Sequence, residues 1–586
     1  MKQATILMAV TTAIILMVAC SGDDPWTETD IYNSDSQLSP NNNGNGSTTG
    51  ELTTFTVDID KTSSEPDNAA GAYYPDTEDN ISNNQFTTEV LIDMAHPVAK
   101  TENGVTLTVN GGHITANHGS ATGICYVLSG TTTDGSFTVV GEKKYEVKLN
   151  GVNITNPDSA ALNLLSKKRA FVVLSEGSSN TLTDGSTSQN DHKGALYAKG
   201  KLLFSGKGQL AVNGNYNNAI HSADYIVFST GCNIYAQSSQ NHGIKANDGI
   251  YINGGILNVE VSAAAAKGIN CESHIVVNGG RTTVITTGGG TYDTDDLEAK
   301  GSACIKADST LTVNGGELWL KSTGDGGKGI NVDDAITING GALYIITEGG
   351  QYKSNNDTSS PKGIKSDGDL IINDGKIWVR TNGYNGEGIE TKSTLTINGG
   401  ETASYAYDDA INSKGTMTIS GGYVYAQGRN NDGLDANGNC YIKGGVVYAI
   451  CSGSPEVAID ANTEGGYKLY VQGGTIVAIG GLEQGSQLSQ SCYQASWSSN
   501  TWYALNGGSQ TLAFKTPSSG GNGVVVSTSS TPTLTTGISL TGGTSLFGNL
   551  ANWGGTVSDG SNVTLSAYSG GNSMGGMGGM GGGGRR

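Results

Sequence analysis

An apolar residue recurs at a nearly fixed interval through the middle of the chain, and it constrains the fold more than any other feature. It follows glycine or another small residue, at Leu196, Ile220, Ile244, Ile269, Ile305, Ile330, Ile364, Ile389, Ile411, Leu434 and Ile459. Eight of the ten steps between neighbours are 22–25 residues long, and the longer steps, of 36 and 34, contain insertions. Such a fixed period predicts a solenoid, in which each repeat forms one coil.

The segments between these positions have the pattern of short β-strands. Leu395-Thr396-Ile397 and Val424-Tyr425-Ala426 show short alternating patterns, without the stripe of an amphipathic helix. Three short strands and glycine-rich turns in about 24 residues describe one coil of a parallel β-helix, stacked about 4.8 Å from the next. The sequence therefore predicts an all-β fold, a parallel β-helix solenoid with about 24 residues per coil.

An Asn-Gly-Gly motif recurs with the same period. Glycine supplies the left-handed backbone conformation that a corner between strands requires. The asparagines stand at equivalent positions of six successive coils, at Asn253, Asn278, Asn314, Asn339, Asn373 and Asn398. Stacked amides can hydrogen-bond along such a column, as they do in cross-β structures. We assign this column a structural role.

The N-terminus predicts export and lipid attachment. Lys2 precedes an apolar run that ends in Met17-Val18-Ala19-Cys20, too short for a spanning helix. The small residue before Cys20 is typical of a bacterial lipobox, and Ser21-Gly22-Asp23-Asp24 is similar to an acidic surface-sorting signal. We predict a lipoprotein signal peptide over 1–20, lipidation of Cys20 and an outer-membrane, cell-surface location. An ordinary cleaved signal is the alternative.

Composition divides the rest of the chain. Residues 21–85 are rich in Ser, Asn, Thr, Asp and Gly, which predicts a flexible tether. Residues 86–480 carry the repeat, and 481–570 lose the period but keep β-like runs, which predicts a C-terminal cap or a small β module. The Gly/Met-rich tail over 571–586 is predicted to be disordered. A net charge of −20 argues against a nucleic-acid partner, and we expect a monomer whose only membrane contact is its lipid.

Seven cysteines remain after Cys20, and they show no CxxC or Cys/His spacing. A zinc site therefore has little support. We expect buried thiols, with room for one or two disulfides.

One outward-facing column of the predicted coil contains large aromatic residues. In the strand after each Gly-Gly pair the second and fourth residues are apolar and must point inward, so the third points outward. Three successive coils carry Trp319, Tyr344 and Trp378 there, with Lys321 and Arg380 on the same face. Flat rings beside hydrogen-bonding side chains suit stacking against sugars, which predicts a substrate-binding face. Cross-strand packing that stiffens the sheet is the alternative.

Two further columns flank the recurring apolar residue, and they are basic in the middle coils. Lys306 and Lys365 belong to this basic set. They are candidates for binding the carboxylates of an acidic polysaccharide. Pairing to nearby acidic residues is the alternative.

The same two columns are acidic in the later coils. Their carboxylates are predicted to come from Glu387, Glu390, Asp409, Asp432, Asp435 and Asp460. Carboxylates stacked about 4.8 Å apart repel each other unless they are protonated or bridged by a cation. Ca²⁺ is the expected cation because it prefers oxygen ligands and is plentiful outside cells. A solvated acidic face without metal is the alternative, since no EF-hand or nonapeptide calcium spacing is present.

The repeated phrase resembles a family of bacterial carbohydrate-binding proteins. The resemblance is carried by Lys362-Gly363-Ile364-Lys365, by Tyr126-Val127-Leu128-Ser129-Gly130 and by Asn180-Thr181-Leu182-Thr183-Asp184-Gly185, and it covers about 86–480. It implies a right-handed parallel β-helix similar to polysaccharide lyases, bound calcium, lipoprotein anchoring, and cellulose-like or pectin-like ligands.

Three functions follow from these observations. We expect a surface-anchored, non-catalytic polysaccharide-binding protein that is calcium-dependent and recognises a plant or host glycan. A calcium-dependent polysaccharide lyase acting on uronate polymers is the first alternative, because elimination needs a base and calcium. A surface adhesin or spacer with a protein partner is the second.

Overall fold

The computed structural model describes residues 51–67, 69–188 and 191–570. The predictions for the signal peptide, Cys20, the first part of the tether and the tail over 571–586 fall outside these residues. Among the described residues, no helix has the length and apolar character that crossing a membrane requires.

The described chain is an all-β solenoid of about 15 parallel coils, which confirms the predicted fold class. Each central coil contributes one strand to each of three columns. Column 1 carries the recurring apolar residue and consists of His113–Asn117, Ser136–Val140, Leu162–Leu164, Gly194–Ala198, Asn218–Ser222, Ile244–Ala246, Lys267–Cys271, Ala303–Ala307, Lys328–Val332, Lys362–Ser366, Glu387–Thr391, Ile411–Ser413 and Leu434–Ala436. Antiparallel strands Lys100–Glu102 and Val105–Asn110 precede it.

Columns 2 and 3 lie on either side of the Asn-Gly-Gly corner. Column 2 consists of Thr88–Asp93, Ile124–Thr132, Tyr145–Asn156, Ala170–Leu174, Leu202–Gly206, Tyr225–Phe228, Gly249–Ile252, His274–Val277, Leu311–Val313, Ile336–Ile338, Leu370–Ile372, Leu395–Ile397, Met417–Ile419, Cys440–Ile442, Leu469–Val471 and Gln487–Leu488. Column 3 consists of Ser179–Asp184, Gln209–Gly214, Asn233–Ser238, Ile256–Val261, Arg281–Thr286, Glu317–Ser322, Ala342–Thr347, Lys376–Thr381, Glu401–Ala406, Tyr423–Gly428, Val446–Ile450 and Thr475–Ile479.

The predicted apolar column is in register from one end to the other. Ile330 pairs with Ile364 and Ile364 with Ile389, and the same pairing runs from Leu196 to Ile459. These side chains are fully buried and form the core with the inward residues of columns 2 and 3. The stack continues one coil beyond the predicted limit of 480, because Ile459 pairs with Leu482.

The asparagine column forms the hydrogen-bonded ladder that the repeat predicts. Each Nδ2 donates to the Oδ1 of the preceding coil at 2.8–2.9 Å, from Asn398 down to Asn253. The glycine after the corner has little space for a side chain. At Gly341 φ is +84°, and a Cβ there would lie 2.9 Å from the Gly316 carbonyl oxygen.

The two long steps of the repeat are inserted β-hairpins. Thr291–Asp293 pairs with Glu298–Lys300, and Tyr352–Ser354 pairs with Asp357–Ser359. Acidic residues stabilise these insertions. Asp293 pairs with Lys300 of the same hairpin at 2.8 Å, and Asp357 of the second hairpin accepts from the Ala299 N–H of the first at 2.7 Å. The seven described cysteines are buried and unpaired.

Residues 481–570 close the end of the solenoid and add a β module. Val524–Ser527 pairs antiparallel with Thr475–Ile479 and with Cys492–Ala495, which also pairs with Ser566–Tyr568. The module is a six-stranded antiparallel sheet in the order Thr544–Leu546, Ala551–Trp553, Leu512–Lys515, Trp502–Asn506, Thr533–Thr541 and Thr556–Val563.

Residues 51–67 and 69–85 pack along the solenoid, so the predicted flexible tether over 21–85 is wrong for this part. Leu52, Phe55 and Val57 are buried in one apolar cluster with the outward side chains of column 3. Farther along, the Glu65 carboxylate accepts hydrogen bonds from backbone N–H groups of two successive corners, at 2.9 and 2.6 Å.

The far end of this N-terminal segment is fixed by charge. It contains 3₁₀ turns at Thr77–Asp79 and Ile81–Asn83. The buried Asp79 carboxylate accepts from Arg169 Nε at 2.7 Å and from the Tyr225 hydroxyl at 2.7 and 2.8 Å.

Candidate metal centre and predicted binding residues

The aromatic column has the predicted register. Trp319 pairs with Tyr344 and Tyr344 with Trp378 in successive strands of column 3. The first two rings stack with centroids 4.1 Å apart, and the second pair is edge-on at 5.8 Å. The indole N–H of Trp378 donates to the Glu401 carboxylate at 2.7 Å.

The prediction that these rings are exposed to a ligand is wrong. Trp319 and Tyr344 are 6% exposed and Trp378 is 2% exposed. The Phe55 ring lies over the last two, and the Arg380 guanidinium donates to the backbone carbonyls of residues 53 and 55 at 2.5 and 3.1 Å. Strand alternation points these rings out of the coil, but the N-terminal segment covers them.

The three lysines predicted to bind the ligand each have a carboxylate partner. Their closest distances are Lys306 to Asp308 and Asp333 at 2.7 and 2.6 Å, Lys365 to Asp367 at 2.5 Å, and Lys321 to Glu348 at 3.8 Å. The partners of Lys306 and Lys365 neutralise the ammonium groups that were predicted to bind polysaccharide carboxylates. This arrangement agrees with the alternative of charge pairing along the surface.

Glu387 and Glu390 are held by a lysine of the preceding coil. The Lys362 ammonium lies 2.6 Å from one carboxylate and 3.2 Å from the other, and all three side chains are largely buried. Burial acts to lower the pKa of Lys362, but the two carboxylates outweigh it and the pKa is raised. The ammonium already supplies the counter-charge of these glutamates, which favours ion pairing over the predicted metal at this point of the column.

Three of the predicted acids converge at the end of the solenoid. Carboxylate oxygens of Asp432, Asp435 and Asp460 all lie within 4.8 Å of one another. The strand register produces this cluster, since Leu434 pairs with Ile459 and so places the residues that follow them side by side. Asp432 is buried and also accepts from the Val457 N–H at 2.7 Å.

Asp409 lies beside this cluster and is connected to it by an amide. Asn412 Nδ2 donates to Asp409 Oδ2 at 3.2 Å and to Asp435 Oδ2 at 3.1 Å. The Oδ1 atom of Asn412 is buried and has no hydrogen-bond partner among the described residues. An unpaired buried oxygen is costly, and it is a ligand atom that calcium accepts.

The cluster resists full ionisation. Burial, with repulsion from neighbouring carboxylates, raises the pKa of Asp432 to about 8 and that of Asp435 to about 6. Burial and a hydrogen bond with Glu483 raise the pKa of Asp460 to about 9. Near neutral pH such a group retains protons or takes up a cation. The spacing fits calcium, since oxygens about 2.3–2.6 Å from one ion lie within about 5 Å of each other.

Glu483 is an acidic residue of this site that the sequence analysis did not find. It follows Leu482, which occupies the coil after Ile459, so it continues the column that contains Asp435 and Asp460. The step from Ile459 to Leu482 is 23 residues and has the period of the repeat. Extending the period by one coil would have identified it.

Comparison with known proteins gives the family. A family model described as carbohydrate-binding domain-containing protein matches residues 103–264, 258–350, 326–404 and 348–433. These overlapping matches cover 331 of 586 residues. The chain belongs to this carbohydrate-binding family. The matched region contains the aromatic column, the paired lysines and Asp432, and it ends just before Asp435.

Individual relatives are more distant. A carbohydrate-binding domain-containing protein of Acetivibrio thermocellus is 32% identical over 114 residues, which are 18% of this chain and 40% of the relative. The chain thus spans less than half the length of that relative. A solved structure, described as a polysaccharide lyase-like protein from C. thermocellum in a gadolinium derivative, is 23% identical with a TM-score of 0.32. It covers 44% of this chain and 94% of its own.

Proposed function

We propose that this member of the carbohydrate-binding family is a non-catalytic polysaccharide-binding protein of the cell surface. In this proposal Cys20 carries the lipid that holds it at the outer membrane, and Ca²⁺ binds at the end of the solenoid. The observation that carries the proposal is the family match over residues 103–433, more than half of the chain.

The proposed calcium site consists of Asp432, Asp435 and Asp460, with the Oδ1 of Asn412 as a further ligand atom. Bound calcium would neutralise carboxylates that burial and mutual repulsion otherwise keep protonated. These residues would hold the ion, and because Asp435 and Asp460 occupy the same position in adjacent coils, the ion would link one coil to the next. Asp409 would orient Asn412 through the hydrogen bond to its amide.

Charge pairing argues against Lys362 and Lys365 as the base of an elimination. A lyase needs a base that is free to take a proton from a uronate. Lys365 is 2.5 Å from Asp367, and Lys362 is buried between two glutamates. Neither ammonium is placed to lose a proton to solvent and act as that base.

A glycan array tests the proposal on the full chain. We expect retention of at least one polysaccharide, with weaker or less heat-stable binding in EDTA than in millimolar calcium. Asp460→Asn should reduce the calcium effect, whereas Asp295→Asn, in an exposed hairpin turn, should not. Release of unsaturated, ultraviolet-absorbing products from polygalacturonate would favour the lyase instead. Retention of no polysaccharide in either condition would exclude the carbohydrate function.

A further inference from the structure

A groove of about 460 Å³ lies between the last coils and the C-terminal module. We propose that it binds a short stretch of a neutral, uncharged glycan chain, which rests on the proposed carbohydrate function and assigns it a place. Its rings, Tyr423 and Trp553, pack at the edge of the apolar cluster that contains the aromatic column, but unlike that column they are partly exposed.

The floor of the groove is backbone. Gly422, Gly445 and Gly474 come from three successive coils and are stacked, because the residues that follow them pair in register. The N–H groups of Val446 and Thr475 bond to the glycine carbonyls of the preceding coil at 2.9 Å. Since these glycines carry no side chain, a ligand can lie directly on the peptide surface.

The module provides the opposite wall, and this distinguishes the groove from the same corner elsewhere on the solenoid. Trp553 belongs to a strand paired on both sides within the six-stranded sheet, so its position is fixed. Its ring centroid is 6.2 Å from that of Tyr423 on the first coil, with 70° between the planes. Gly508 of the module approaches so closely that a Cβ would lie 2.7 Å from the Thr475 hydroxyl oxygen.

These walls match the chemistry of a sugar. Both rings are partly exposed and line the groove, so a ligand in it would contact aromatic carbon. Small-molecule sites combine such aromatic walls with a few polar groups, within about 300–1,000 Å³. The Thr475 and Ser509 hydroxyls can each donate and accept a hydrogen bond, as sugar hydroxyls require.

The charge of the groove selects a neutral ligand. None of the residues that line it is Asp, Glu, Lys, Arg or His. The whole chain carries a net charge of −20, which repels an acidic polymer wherever calcium does not bridge the two. A neutral glycan meets neither repulsion nor an unpaired charge in this groove.

Filling the groove from its exposed rim tests the proposal. Ser509→Trp adds a large ring at an exposed lining position, and Ser558→Trp makes the same change at an exposed strand position of the module outside the groove. The probes are hexasaccharides of β-1,4-linked glucose, mannose and xylose, titrated by calorimetry with the full chain. We expect at least tenfold weaker binding for Ser509→Trp and wild-type affinity for Ser558→Trp.

Tryptophan fluorescence gives a second test, which reports on Trp553 in the wall of the groove. Binding of the retained hexasaccharide should change tryptophan fluorescence, and Trp553→Phe should remove that change. Equal affinities of wild type and Ser509→Trp, or no binding of any neutral hexasaccharide by the wild type, would overturn the groove proposal. If polygalacturonate in calcium is still retained in that case, the proposed function stands without the groove; if no glycan is retained at all, both fail.

Discussion

Phe55 lies edge-on to Trp378, with 5.9 Å between their ring centroids and 63° between their planes. The contact joins a segment near the start of the described chain to the middle of the solenoid. The Arg380 guanidinium completes it, because it sits 5.4 Å from the Phe55 ring centroid while donating to two backbone carbonyls of the same segment. The aromatic column therefore serves as a packing surface along the solenoid.

Removing the Phe55 ring should destabilise the protein. The side chain is 1% exposed, and Phe55→Ala leaves a cavity over Tyr344 and Trp378. We expect the free energy of unfolding, measured by urea titration, to fall by about 3–5 kcal/mol. Tyr384→Ala is the control, since Tyr384 is 57% exposed and its truncation should cost less than about 0.5 kcal/mol. Equal small losses would mean that the segment is not docked in solution.

The asparagine ladder should contribute unequally along its length. Asn278 is 3% exposed, donates to Asn253 and accepts from Asn314, so Asn278→Ala removes two amide bonds in a buried place. We expect a loss of about 1–3 kcal/mol in urea unfolding. Asn398 is exposed at the last rung, and Asn398→Ala should cost less than about 1 kcal/mol. The same cost at both positions would argue against a cooperative buried ladder.

The period of the sequence was sufficient to predict everything that depends on stacking. Because parallel coils pair residue for residue, a repeat of 22–25 positions, lengthened in two coils by insertions, fixes the register of Ile330, Ile364 and Ile389 and the amide ladder beside them. The same logic would have predicted the Lys362–Glu387 pair, since these residues occupy one column in adjacent coils. Considered one charge at a time, the same residues predict separate basic and acidic surfaces.

Exposure could not be predicted in this way. Alternation says whether a side chain points into or out of its own coil, but not whether another segment lies outside. The composition of residues 21–85 indicated a tether, and averaging over that window hid the apolar spacing of Phe55 and Val57. The groove beside Trp553 could not be predicted from the sequence either, because it forms between the repeat and a module whose sequence has no period.

Because of the carboxylate cluster, raising the pH should lower the stability of the protein, and adding calcium should restore part of it. Folding raises the pKa of Asp432 to about 8 and of Asp460 to about 9, from an ordinary value of 3.8. Protonation of these aspartates contributes its full stabilisation below about pH 3.8. That contribution decreases as the pH rises and is lost once the pH passes 8 and 9. In EDTA the Tm should therefore fall between pH 5 and pH 9. Millimolar calcium should reduce the fall, because the ion replaces the protons.

Two variants check this assignment. Asp460→Asn removes one titrating carboxylate, so the Tm should depend less on pH in EDTA and respond less to calcium. Asp295→Asn should behave as the wild type in both conditions. A Tm that changes equally with pH in calcium and in EDTA would contradict a calcium site at these aspartates.

Removing the Lys362 ammonium should destabilise the fold, because the two glutamates that it neutralises would stay buried without a counter-charge. Lys362→Met keeps the apolar stem but leaves the largely buried Glu387 and Glu390 without a counter-charge. We expect a loss of about 3–5 kcal/mol in urea unfolding at pH 8. The loss should be smaller at pH 5, since burial already raises the pKa of Glu387 and removal of the lysine raises it further. Lys392→Met breaks an exposed pair at 3.2 Å and should cost less than about 1 kcal/mol. Similar losses of unfolding free energy for the two variants would mean that water solvates Glu387 and Glu390 in place of the lysine.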